Sequence, residues 1–150
     1  MNNNYENQIT SYLNQYLSNL AVLTNKLYNY HWNIAGSTFF PLHSKFQEYY
    51  EKSSQEFDAI AERIKQLGGF PITSLSKYAT MSNIKEVESK NYNASEALTG
   101  IVNDFKLMHK LGFDIANYAS SIGDNVTSGI IGEYLTYLEK QIWMLEANLK

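Results

Sequence analysis

Apolar side chains recur along this chain at an interval close to 3.6 residues in four long runs, and no other feature limits its fold so tightly. The first run extends from Glu6 to about Asn33 and carries Ile9, Leu13, Tyr16, Leu17, Leu20, Leu23, Leu27 and Tyr30 on one stripe. Neither glycine nor proline interrupts it, and Gly36 in Ala35-Gly36-Ser37 is its expected stop. After Pro41 a second run reaches about Leu67 through Phe46, Tyr49, Tyr50, Phe57, Ile60, Ala61 and Ile64. Gly68-Gly69 ends it and Pro71 prevents its continuation. The third run starts behind Asn93, a cap whose partner Glu96 lies three residues on, and reaches about Ile122 through Leu98, Ile101, Val102, Phe105, Met108, Leu111, Ile115 and Ala119. Gly123-Asp124-Asn125 is a turn. A fourth run follows from about Val126 to Leu149 through Ile130, Ile131, Tyr134, Leu135, Leu138, Ile142 and Leu145.

The segment Ile72 to Tyr92 is the least regular. SLSKYA within it can form a short helix, and Lys85, Glu86, Glu88 and Lys90 read as a solvated face. No stretch alternates as a strand would. The expected architecture is all-α: a four-helix bundle with two short links, one long middle link, and a short extra helix in the long connection between helices two and three. The long link lets helices two and three run parallel, as in ferritin-like folds.

At 150 residues with 44% hydrophobic content the chain is expected to form a single domain, 1–150. It has no cysteine, which excludes disulfides, thiolate metal sites and thiol nucleophiles. The start, MNNNYENQIT, has neither the charged nor the apolar part of a signal peptide, and no apolar run approaches a membrane span. A soluble, cytoplasmic protein is expected, and the sequons at Asn93 and Asn125 read as chance. Net charge is −3, no Lys or Arg precedes Lys26, and the last ten residues hold only Lys150 as a cation. Without a basic arm to displace counterions from phosphate, DNA binding is not expected. The twelve tyrosines suit the wet edges of long packed helices.

Chemistry concentrates between Tyr28 and Gly69. His31 and His43 flank the break between helices one and two, and Asp58 and Glu62 sit one turn apart on one face of helix two. Imidazole and carboxylate together suit iron, zinc or manganese. Taken singly, each histidine is more often a packed helix-terminal residue, and the acids more often a solvated pair. Glu62 can also pair with Lys65 at i+3, with Arg63 pointing elsewhere on the helix. No Glu-x-x-His occurs, so a metal site in the bundle core is not indicated, and His109 reads as a structural or surface residue. Nucleophile elbows and phosphate-cradling loops are absent from the sequence.

The segment YHWNIAGSTFFPLHSKFQEYYEKSSQEFDAIAERIKQLGGFP resembles the Dps family, the mini-ferritins. It carries HW-x-x-x-G-x-x-F-x-x-LH-x-x-F, then D-x-x-AER and LGG-x-P, and GDNVTSGIIGEYLTYLEKQIWMLEANL resembles the family's last helix. The resemblance spans essentially the whole chain. It implies a subunit of a hollow homo-dodecamer that oxidises Fe(II), preferably with hydrogen peroxide, and stores the ferric mineral. It assigns His31, His43, Asp58 and Glu62 as ferroxidase ligands for iron (Fe2+/Fe3+), with Trp32 beside the centre. Asp124 and Glu133 fall where family members place acids lining three-fold pores. Gln47 stands where the family usually has Asp, and Glu48 is no substitute because one residue turns a helical side chain by about 100°. The resemblance therefore implies one well-furnished iron position and a weaker second. Many members bind DNA through a basic tail that this chain lacks. The rival readings are a DNA-condensing nucleoid protein and a structural shell with impaired ferroxidase activity.

Spacing adds a constraint of its own. If helix two is continuous, the fifteen residues from His43 to Asp58 separate their Cα atoms by about 22 Å. Metal–ligand bonds are roughly 2 Å, so one chain cannot place both on one ion. Two antiparallel copies of helix two about a two-fold axis can, making two equivalent sites.

Overall fold

Gly36, Gly68 and Gly123 adopt φ of 109°, 83° and 82°, and each lies in a break next to a long helix. The computed structural model describes residues 3–150. Met1 and Asn2, which open the stretch read as lacking a leader, lie outside the described residues. The helices are α1 (Asn3–Asn33), α2 (Phe39–Gln66), α3 (Leu75–Met81), α4 (Ala94–Ser121) and α5 (Asn125–Leu149). Among the described residues there is no strand, only an isolated bridge between Ile34 and Tyr92. The four long runs are α1, α2, α4 and α5, and SLSKYA falls in α3.

One boundary differs from the sequence reading. α2 starts at Phe39, ahead of Pro41. Pro41 is then the third residue of the helix, where an N–H has no partner inside the helix, so its missing donor costs nothing. The other end closes as a Schellman motif: Gly68 N–H donates to Lys65 O and Gly69 N–H to Ile64 O, both at 2.9 Å. α4 opens with the expected reciprocal capping box between Asn93 and Glu96.

Cross-helix contacts fix the direction of each helix. Thr24 and Ser53 hydroxyls meet at 2.7 Å, and the Asn14 amide donates to Phe70 O at 3.1 Å, so α2 runs antiparallel to α1. Tyr16 Oη donates to Met108 O at 3.1 Å, and Lys26 Nζ lies 2.8 Å from Asp104, so α4 is also antiparallel to α1. α2 and α4 are therefore parallel, which only a long connection allows. His109 Nε2 lies 2.8 Å from Glu139, and Lys106 pairs with Glu146, which sets α5 antiparallel to α4. The all-α, ferritin-like bundle with its extra helix is the architecture expected.

The stripe of α1 is wholly buried, from Ile9 to Tyr30, as are Phe46, Ile60, Phe105, Met108, Tyr134 and Leu138. Within that core Lys26 and Asp104 form an ion pair that no spacing announced, because its members lie on different helices. Burial pushes the Asp104 carboxyl up, and Lys26 pulls it back. Glu62 does not pair with Lys65; the ammonium of Lys65 sits 4.1 Å from the centre of the Phe70 ring. No described helix is long and apolar enough to cross a membrane.

Candidate metal centre

His31 ends α1 and His43 lies in the second turn of α2, and the tight link around Gly36 brings them face to face. Their rings stack with centroids 3.7 Å apart and planes 17° from parallel. His31 Nδ1–H donates to His43 O at 2.6 Å, and His43 Nδ1–H donates to His31 O at 2.8 Å. A carbonyl can only accept, so Nδ1 of each ring carries the proton. A ring with no second proton then presents the Nε2 lone pair, the tautomer and orientation that a metal-binding histidine needs. His31 is 6% exposed, and neither Nε2 has a hydrogen-bond partner among the described residues.

An aromatic column adjoins the pair. Tyr50 meets His31 edge-on at 5.2 Å, Tyr28 stacks on Tyr50 at 4.2 Å, and Trp32 stacks on Tyr28 at 5.3 Å. Trp32 is 66% exposed, so the column ends at the surface. On the other side Phe39 stacks on His43 at 5.0 Å. These rings restrict how the imidazoles can turn. Periodicity places Tyr28 and Tyr50 only on the first and second helices; their place beside the histidines needs the pairing of α1 with α2.

Asp58 and Glu62 are exposed on α2, well away from the histidines. α2 is unbroken from Phe39 to Gln66, which satisfies the condition for the separation of about 22 Å. No group of three or more His, Asp or Glu capable of holding a metal ion forms within the described residues of one chain. The structure thus brings His31 and His43 together and keeps Asp58 and Glu62 apart from them. Gln47 is exposed and its Nε2 donates to Glu51 Oε1 at 2.9 Å.

The two acids assigned to a pore differ. Glu133 is exposed on α5. Asp124 is 3% exposed and caps α5. Its Oδ1 accepts from Thr127 N–H at 3.0 Å and from Arg63 Nη2 at 2.8 Å, and its Oδ2 accepts from the Thr127 hydroxyl. Burial pushes this carboxyl up, but Thr127 and the Arg63 guanidinium together hold it below the ordinary carboxylate range. His109 is engaged with Glu139 and stacks on Phe113, away from the other histidines.

A bundle of this topology defines the ferritin-like class, and residues 10–150 match the ferritin-like domain family. The chain is 38% identical over 128 residues to the "DNA protection during starvation protein" of Helicobacter pylori, covering 85% of this chain and 89% of that one. The crystal structure of a Dps protein from Bacillus brevis superposes with a TM-score of 0.95 at 35% identity, covering 100% of both chains. That of a Dps protein from Vibrio cholerae, described as a member of a broad superfamily of ferritin-like diiron-carboxylate proteins, gives 0.95 at 35% identity over 98% of this chain and 92% of that one. The chain belongs to the Dps family.

Proposed function

We propose that this protein oxidises Fe(II) with hydrogen peroxide at centres shared between two-fold related subunits, and stores the ferric product inside a hollow dodecamer. Iron is here both substrate and cargo. The observation that carries the reading is the division of one ligand set into two halves. Two tautomer-locked histidines stand at one end of α2 and two exposed acids at the other, too far apart to serve one ion. An antiparallel copy of α2 reunites them twice by symmetry. The Nε2 lone pairs suit Fe(II), and the carboxylates offset the charge gained on oxidation. Two Fe(II) and one H2O2 with two protons give two Fe(III) and two waters, so peroxide is consumed in a paired-electron reaction.

Family membership supports iron chemistry, and the superfamily of the Vibrio cholerae relative is named for diiron-carboxylate sites. The Helicobacter pylori relative is named for protecting DNA. In this chain such protection would come through removal of iron and peroxide, since phosphate binding draws on clustered Lys and Arg and no Lys or Arg precedes Lys26 in the sequence. In the proposed dodecamer Glu133 supplies the exposed charge of a three-fold pore, and Asp124 shapes the turn beside it.

Complementation tests the shared centre. His31→Ala/His43→Ala subunits and Asp58→Ala/Glu62→Ala subunits are each expected to be inactive when assembled alone. Co-assembled from denaturant, mixed dimers regain one intact site, and Fe(II) oxidation followed by ferric absorbance should reappear. Mixed shells that show no activity beyond the two parents, with mixing verified by mass, would rule the shared centre out.

A further inference from the structure

We propose that the groove between α1 and α4 is a binding site for a small quaternary ammonium ion, a ligand unconnected with iron. Tyr12, Tyr16 and Asn19 on α1 and Leu111, Ile115 and Tyr118 on α4 repeat one spacing, i, i+4, i+7, so each set lies on one face of its helix. The two helices are antiparallel, and these faces enclose a pocket of about 300 Å³, large enough for a small molecule. Its lining comes from α1 and α4 alone, away from the α2 face that carries Asp58 and Glu62.

Three tyrosine rings wall the pocket. Tyr12 and Tyr118 stand with centroids 5.2 Å apart and planes at 86°, a right-angled corner at the mouth. Tyr16 closes the buried end, and its ring is fixed by the hydrogen bond from its hydroxyl to Met108 O at 3.1 Å. Aromatic faces carry negative charge density and attract a cation, more strongly where water is displaced. The one charged group lining the pocket among the described residues has the complementary sign. It is Asp114, exposed and only loosely paired with Lys110 at 3.6 Å. The buried end selects the kind of cation. Asn19 spends its amide on the loop beyond α3: its Oδ1 accepts from Asn83 N–H at 2.7 Å and its Nδ2 donates to Asn83 Oδ1 at 3.3 Å. With Tyr16 and Ile115 beside it, that end offers ring and aliphatic carbon in place of free acceptors. The N–H groups of a primary ammonium would lose water there without repayment, whereas N-methyl groups need no partner.

Titration of the full-length protein with choline, followed by calorimetry and by saturation transfer to the N-methyl protons, tests the site. Saturable binding at one site per chain is expected. The neutral isostere of choline, with a tert-butyl group in place of trimethylammonium, should bind about tenfold more weakly. Ethanolamine, the unmethylated counterpart, should also bind more weakly than choline. Tyr12→Leu and Tyr118→Leu should each weaken choline about tenfold, whereas Tyr12→Phe and Tyr118→Phe, which keep the ring, should bind it as the unaltered protein does. Asp114→Asn should weaken binding by a smaller factor that shrinks as salt is added. Equal binding of the neutral isostere would make this a plain apolar slot, and tighter binding of ethanolamine a hydrogen-bonded ammonium site. No saturable binding, as when a second copy of the chain covers the groove, would leave it without a free ligand. Each of these three results would overturn the proposal.

Discussion

Arg63 and Asp124 close an ion pair of 2.8 Å between the last turn of α2 and the turn joining α4 to α5. The side chains are 12% and 1% exposed. Asp124 N–H also donates to Ala119 O at 2.8 Å, so a single residue finishes α4, caps α5 and anchors α2. Asp124→Ala removes the cap and strands a mostly buried guanidinium, which should cost about 3 kcal/mol or more at neutral pH.

The same pair gives that cost a pH dependence. The folded-state pKa of Asp124 is lowered. Its contribution is therefore full above the ordinary carboxylate value of about 3.9 and is lost as pH falls through the lower folded value. Urea unfolding of wild type and Asp124→Ala at fixed protein concentration should show a gap that narrows steadily as pH drops below about 4. A gap of constant size down to strong acid would contradict the assignment.

Gly112 lies where α4 meets α1 and α5. A Cβ there would stand 2.8 Å from both Tyr16 Oη and Leu135 Cδ2. Tyr16 is 1% exposed and its hydroxyl is bound to Met108 O, so it cannot swing aside freely. Overpacking of this kind costs about 1–3 kcal/mol, against a helix-propensity gain of at most ~1 kcal/mol. Gly112→Ala should lower the unfolding midpoint, whereas Gly129→Ala, where a Cβ meets nothing within 4 Å, should not.

Glu133→Gln should slow Fe(II) uptake at low ionic strength and leave assembly intact, because a cleft of one sign concentrates counter-ions. The difference should fade as salt is added. Uptake that is equal at every ionic strength would remove Glu133 from the path of the ion.

Duplex DNA is expected not to bind tightly at about 150 mM salt, where phosphate contacts depend on cationic arms. A gel shift showing submicromolar affinity at that salt would overturn this expectation and favour the nucleoid reading.

The four long helices were legible because each carries an uninterrupted 3.6-residue stripe, and the Asn93–Glu96 box and Gly68 marked ends by local chemistry alone. α2 begins at Phe39, three residues ahead of a start after Pro41, because proline is acceptable in a first turn, a point that periodicity cannot settle. The bridge between Ile34 and Tyr92, the Lys26–Asp104 pair and the Arg63–Asp124 pair join residues 58 to 78 positions apart in sequence, and nothing local signals them. Arg63 was read only as pointing away from Glu62. For the candidate centre, the separation of His43 from Asp58 followed from helix rise alone. The crossed hydrogen bonds of His31 and His43 did not, since they depend on how closely the link around Gly36 folds α2 back on α1.

The length of α2 has a consequence for when the chemistry can begin. A newly released chain carries every ligand the proposed reaction asks for, yet holds them at opposite ends of a stiff rod. On the proposed shared centre it is inert alone, and competence arises only in the encounter of two such rods. The onset of activity should therefore scale with the square of the free subunit concentration, and a lone chain cannot generate ferric ion with nowhere to put it.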